Sequence, residues 1–222
     1  MLKLALIGRS IQHSQSKTIY QQLIPQKFSY TLLDINEKSD LPSAQDLLNQ
    51  YSAVNITAPY KNHFLDQINN QSEFKALAAI NLLYKKNGLI LGANTDYLAL
   101  VQEVESGRLD DFKHFVILGN GAMARVWQEI LEQFSLPFVQ FYRKKHGALD
   151  QLDLSHLSHS LIINCCSRDY IFAGKMDSSS LFWNMNYSLP QQEKLITSLG
   201  CPYRDGLDLL KMQAIHATQL FL

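Results

Sequence analysis

The sequence predicts an α/β protein in two domains. Short apolar runs alternate with stretches of helical period, the pattern of parallel strands covered by helices on both faces. An apolar strand running into a glycine occurs twice, at Leu2 to Gly8 and at Phe115 to Gly119, as if the architecture restarted halfway. The 222 residues, 46% of them hydrophobic, suit one large domain or two small ones and supply ample material for a core.

Leu2 to Gly8 reads as a buried strand, followed by a polar turn and a helix from Ser16 to Leu23. Phe28 to Leu33 is the second strand, and Leu41 to Gln50 a helix started by the Asp40-Leu-Pro-Ser region. Ser52 to Thr57 is a third strand, stopped by Pro59. Asn87-Gly88 is a common hairpin dipeptide and predicts a tight turn beside Leu89 and Ile90. A helix from about Tyr97 to Glu105 is the candidate connector, placing the boundary near Asp96 to Gly107. Phe115 to Leu118 is a strand, Ala124 to Phe134 a helix and Phe138 to Tyr142 the next strand. Leu161 to Asn164 and Leu181 to Asn184 are later strands, and Gly206 to Phe221 has a helical period.

Composition excludes several classes of function. Lys+Arg and Asp+Glu number 20 each, so no basic excess is available to neutralise nucleic-acid phosphates. No apolar run approaches the ~20 residues needed to span a bilayer, and the N-terminus is apolar too briefly for a signal peptide. Cys165, Cys166 and Cys201 cannot form a disulfide framework, and neither they nor the seven histidines show metal-ligand spacing. The expectation is a cytoplasmic protein without metal, nucleic-acid or membrane partners, as monomer or homodimer.

Phe115-Val-Ile-Leu-Gly119-Asn120-Gly121-Ala122-Met123-Ala124 is a strand, a GxGxxA turn and a helix start. The first glycine permits the tight turn, the second lets backbone approach a pyrophosphate, and the small Ala124 lets the helix pack closely on the strand. Backbone N–H groups and the helix dipole then favour an anion. About twenty residues on, the next strand ends in Arg143-Lys144-Lys145. A carboxylate there would bind a ribose 2′-hydroxyl; a basic cluster instead suits a 2′-phosphate, hence NADP. The plainer alternative is a packing turn followed by a solvated basic run.

Polar residues also collect just beyond apparent strand ends in the first half, where open α/β sheets place ligands. They are His13-Ser14-Gln15-Ser16, Asn55-Ile-Thr57-Ala-Pro59-Tyr-Lys61, Ala78-Ala-Ile-Asn81 and Gly92-Ala-Asn94-Thr95-Asp96. With the GxGxxA turn, Ile162-Ile-Asn164-Cys-Cys-Ser167, Asn184-Met185-Asn-Tyr187 and Gly206-Leu-Asp-Leu-Leu-Lys-Met-Gln213, the chain resembles the shikimate dehydrogenase family, nearly throughout and in order.

The resemblance implies a substrate domain of 1–97 plus 207–222 and a Rossmann-like NADP domain of 98–206. The implied reaction is reversible reduction of 3-dehydroshikimate to shikimate with NADPH. Lys61 and Asp96 match the catalytic pair: an ammonium can donate a proton to the ketone oxygen, and a carboxylate can orient it. Ser14 and Ser16 match donors to the substrate carboxylate, with Tyr187 adding a phenol. Thr57, Asn81 and Gln213 match residues holding ring hydroxyls. Gly119, Asn120, Gly121, Ala122, Met123, Arg143 and Lys144 match the cofactor loop and 2′-phosphate site, while Met185 and Gly206 border the nicotinamide. Without the resemblance, the serines read as helix caps, Asp96 as the N-cap of the connector helix, and Met185 as core packing.

The chain departs from the pattern at several places. Lys17 stands where the family has proline, Leu82 where it has threonine, Asn184 where it has aspartate, and Tyr97-Leu-Ala-Leu100 where glycines usually follow. Between Arg143 and Asn164 there is no room for a full helix-strand-helix insertion. These differences keep two further readings open: a dehydrogenase acting on quinate or another related acid, and a catalytically weak protein that binds shikimate or a nucleotide.

Overall fold

The computed structural model describes residues 1–74 and 76–222. The chain divides into two compact units, Met1–Ala99 with Leu210–Leu222, and Leu100–Leu209. The predicted α/β class is borne out in both. Among the described residues, no helix is long and apolar enough to cross a membrane.

The first unit contains β1 (Leu2–Gly8), α1 (Ser16–Leu23), β2 (Phe28–Asp34), α2 (Ala44–Gln50), β3 (Ala53–Ile56), β4 (Leu82–Lys86), β5 (Leu89–Ala93) and the start of α3 (Thr95–Glu105). Its sheet runs β2-β1-β3-β4-β5. β1 pairs in parallel with β2 and β3, and its central position explains why Leu4 to Ile7 are buried on both faces. β4 runs antiparallel to β3 and β5, so this sheet is mixed rather than wholly parallel. The Asn87-Gly88 turn accounts for the β4–β5 pairing: both residues have positive φ (54° and 79°), which folds the chain straight back.

Three predicted boundaries move for identifiable reasons. The helix expected from Leu41 begins at Ala44, because Leu41 precedes Pro42 and is held extended. Ser43 caps it, its Oγ accepting the Asp46 N–H at 3.1 Å. α3 begins at Thr95, and Asn94 rather than Asp96 caps it, accepting the Tyr97 N–H at 3.0 Å. The final helix begins at Leu207, just after Gly206.

The second unit contains β6 (His114–Leu118), α4 (Ala122–Gln133), β7 (Phe138–Phe141), α5 (Arg143–His146), β8 (Asp153–Leu154), β9 (Ser160–Asn164), β10 (Lys175–Met176), β11 (Leu181–Asn184), α6 (Pro190–Ser198), β12 (Tyr203–Arg204) and the start of α7 (Leu207–Phe221). Five strands form an all-parallel sheet, β12-β11-β9-β6-β7; β8 and β10 pair separately. Where a full helix-strand-helix would not fit, the chain makes only the four-residue α5 and the two-residue β8. Val116, Leu118, Ile162, Phe172, Phe182 and Ile196 form a buried core on one face of this sheet. α6 escapes a sequence reading because it buries only Gln192 and Ile196. The Gln192 amide makes both backbone bonds of Phe172, at 2.7 and 3.0 Å, so its burial costs no unmet hydrogen bond.

Candidate active site

In the first unit the topology brings the polar segments to one edge. β1, β3 and β5 end there and the antiparallel β4 begins there, so Ser14, Thr57, Asn81 and Asn94 follow or precede strand termini at the same margin. Three contacts fix the turn that carries Lys61. Thr57 donates its N–H to Ile7 at 2.9 Å, the Tyr60 hydroxyl donates to the Ile35 carbonyl at 2.6 Å, and the Lys61 carbonyl accepts the Ile80 N–H at 2.7 Å. From this platform Lys61 Nζ reaches Asp96 Oδ2 at 2.7 Å. The side chains are 16% and 13% exposed, sheltered yet reachable.

Asp96 sits in the first turn of α3, where the helix dipole favours a negative charge. The same helix start is tied to two more expected residues. Asn81 Oδ1 accepts the Thr95 N–H at 2.7 Å and the Thr95 hydroxyl lies 3.1 Å from it. Thr95 Oγ1 also contacts Gln213 Oε1 at 2.9 Å, linking α7 into the network. All three are buried. Ser14 and Ser16 form a second group at the start of α1, their hydroxyls 3.1 Å apart, with Ser14 Oγ accepting the Ser16 N–H at 3.3 Å. The Ser14 oxygen thus serves the helix end and its hydroxyl donates to Ser16 Oγ, while the Ser16 hydroxyl keeps a hydrogen to turn toward an acceptor.

In the second unit every expected cofactor residue follows a strand at the carboxyl edge of the parallel sheet. Gly119 to Met123 follow β6, Arg143 and Lys144 follow β7, Met185 follows β11 and Gly206 follows β12. The strand order reverses between β6 and β9, and ligands of open α/β sheets bind outside that switch point. Gly119 has φ of +109°, and a Cβ on it would stand 3.0 Å from the Cys165 carbonyl group, so no other residue fits. A Cβ on Gly121 would meet nothing within 4 Å, leaving open space above the first turn of α4. Ala124 is fully buried beneath. Arg143, Lys144 and Lys145 lie in α5, and all three are exposed.

Gln140 is a supporting residue that the sequence did not disclose. Its amide nitrogen donates to the Gly119 carbonyl at 2.8 Å, and its oxygen accepts from Gln128 at 2.7 Å. A polar residue inside a short strand was the only available signal. Burial pushes the Cys166 thiol up to about 11, with Arg143 easing it slightly, and raises Cys165 as well. Both thiols are therefore protonated at neutral pH and serve through their backbone. Tyr187 lies in the second unit, on the loop after β11, where Arg168 donates to its carbonyl at 2.8 Å and to that of Ser188 at 3.2 Å.

No family model matches the sequence. A shikimate dehydrogenase (NADP(+)) from Caldicellulosiruptor bescii is 29% identical over the whole chain and 89% of its own length. One from Syntrophomonas wolfei is 32% identical over 130 residues, 55% of the chain and 44% of that protein. A structure of the Thermus thermophilus shikimate 5-dehydrogenase in complex with NADP(H) and shikimate shares the fold, with a TM-score of 0.80, 18% identity and coverage of 100% of this chain and 93% of that one. These relatives are consistent with a divergent member of the shikimate dehydrogenase family.

Proposed function

We propose that this divergent relative of the shikimate dehydrogenases catalyses the NADPH-dependent, reversible reduction of 3-dehydroshikimate to shikimate. The observation that carries the reading is the Lys61–Asp96 pair, held at 2.7 Å by elements whose own bonds fix both partners. A structural ion pair does not need an ammonium on an independently braced turn. Proton transfer does, because the group must keep its aim while its charge changes.

The residues present fit a phosphorylated dinucleotide. The space above Gly121 admits a pyrophosphate against the first-turn N–H groups of α4, and the accessible Arg143 and Lys144 offer charge for a 2′-phosphate. Such a cofactor supplies hydride when bound. The chain's own residues do the rest. Lys61 donates a proton to the developing alkoxide oxygen, and Asp96 orients the ammonium and stabilises its charge. In the oxidation direction the neutral Lys61 amine accepts the hydroxyl proton. Ser14 and Ser16 donate to the substrate carboxylate, joined by the Tyr187 phenol. Thr57, Asn81 and Gln213 hold the ring hydroxyls, with Asn81 and Gln213 already fixed through Thr95.

The test is to mix the protein with shikimate and NADP, then with NAD, and follow reduced-nicotinamide absorbance. Growth with NADP is expected, and Arg143→Ala should raise the KM for NADP about tenfold while leaving that for NAD alone. Growth with NAD only would keep the reaction and discard the 2′-phosphate assignment. Measurable shikimate binding without turnover would leave a ligand-binding protein instead.

A further inference from the structure

Trp127 lies on the buried face of α4, one turn beyond Ala124 and fully enclosed. A buried indole N–H must find an acceptor or forfeit a hydrogen bond. Trp127 finds a sulfur: its Nε1 lies 3.2 Å from Met185 Sδ. Methionine is the opposite kind of residue, unbranched, with three rotatable bonds and little preference of its own. Met185 is only partly buried, with its N–H tied to the Asn164 carbonyl at 3.0 Å. Its backbone is therefore fixed, and without the indole its sulfur would be free to sample several rotamers.

The indole itself is rigidly held. Its ring meets Trp183 edge-on, with centroids 5.4 Å apart and planes at 78°. Trp183 in turn donates its N–H to the Asp205 carbonyl at 3.2 Å and carries the Arg204 guanidinium on its face at 3.9 Å. α4 starts at the Gly121 turn, so one helix both offers its first turn to an anion and, through Trp127, holds the residue after β11. We propose that Trp127 is a positioning residue: its N–H···S bond selects one Met185 rotamer and so shapes the surface against which the nicotinamide ring rests. This rests on the proposed function and on the family resemblance, which implies that Met185 borders that ring.

Two measurements test it, and the first does not depend on activity. The chain holds two tryptophans, so its proton–nitrogen spectrum has two indole cross-peaks. Met185→Leu removes the acceptor, and one of those peaks should move while the other stays. Two unmoved peaks would overturn the proposal whatever the kinetics. The second is a cycle of Trp127→Phe, Met185→Leu and the double variant, each checked for an unchanged thermal transition. Each single change should lower kcat/KM for NADPH about three- to tenfold with the KM for 3-dehydroshikimate unaltered. The double variant should be no worse than the poorer single one. Multiplying effects, or a silent Trp127→Phe, would show that the indole does not act through Met185. If wild-type protein binds NADPH without turning it over, the proposed function fails; NADPH dissociation constants then replace rates in the cycle, with the same two outcomes.

Discussion

Helix α3 carries a buried or half-buried carboxylate near each end, and the two ion pairs they form differ in burial and in the cations that make them. Asp96, in the first turn, meets a single ammonium at 2.7 Å, and both side chains retain some exposure. Glu103, near the last turn, is 1% exposed and clamped between Arg204 at 2.5 Å and Arg108 at 2.9 Å. The helix dipole helps Asp96 and opposes Glu103, whose two cations offset both that and its near-complete burial. The cation's identity separates them further. A guanidinium does not give up its proton in the working range of a protein, whereas a lysine ammonium does. Arg204 is also pinned on the Trp183 ring, while Lys61 reaches Asp96 through a flexible stem on a rigid turn. One pair can do proton chemistry; the other can only hold structure.

The sharpest way to break this contrast is at Lys61. Lys61→Ala should lower turnover by about 10²–10⁴-fold and cost about 1–2 kcal/mol of unfolding free energy, since it strands Asp96, whose side chain is 13% exposed. Lys61→Arg keeps the charge and the partner but removes the transferable proton, so its turnover should fall as far. Appreciable turnover in Lys61→Arg would mean that the ammonium acts by charge alone.

Glu103→Ala should do the reverse. Removing one partner of a buried pair costs about 3 kcal/mol, at the lower end of the usual range because the stranded Arg204 is 22% exposed. Urea denaturation reads that loss, and turnover per folded molecule should stay within about twofold. A stable Glu103→Ala with impaired catalysis would reverse the assignment of the two ends. Asn81→Ala lies between these cases. It strips the acceptor from the buried Thr95 N–H, costing about 1–2 kcal/mol, and, if the proposed substrate role holds, should also raise the KM for shikimate.

The contrast also marks what a sequence can disclose. The Gly119 turn is legible as a strand, a GxGxxA turn and a helix start, whereas Lys61 and Asp96 stand out only through the family resemblance, which picks out the short segments that carry them. Asn94 does not stand out as the cap, because Thr95-Asp96 offers equally good capping residues beside it. Glu103 gave no signal at all: a glutamate late in an amphipathic helix is ordinarily solvated, and its main partner lies 101 residues away on the two-residue β12. Trp127 and Met185 are 58 residues apart and each reads as core. Local patterns reveal elements and turns; pairings made by the strand order of a sheet do not show in any window of the chain.

The smallest effect separates the two arginines that share Glu103. Arg108 is 56% exposed and its Nε also donates to Ser106 at 2.9 Å, whereas Arg204 is 22% exposed and stacked on Trp183. Coulomb attraction through water is screened, and the entropy of holding an exposed arginine offsets much of it. Arg108→Ala should therefore cost less than about 1 kcal/mol, and the loss should shrink further in high salt. Arg204→Ala should cost more and respond little to salt, because it also removes the ring contact and leaves Glu103 to a solvent-facing partner. Equal, salt-sensitive losses at the two positions would show that Glu103 is far more hydrated than its 1% exposure implies, and the contrast between the ends of α3 would narrow to the identity of the cation.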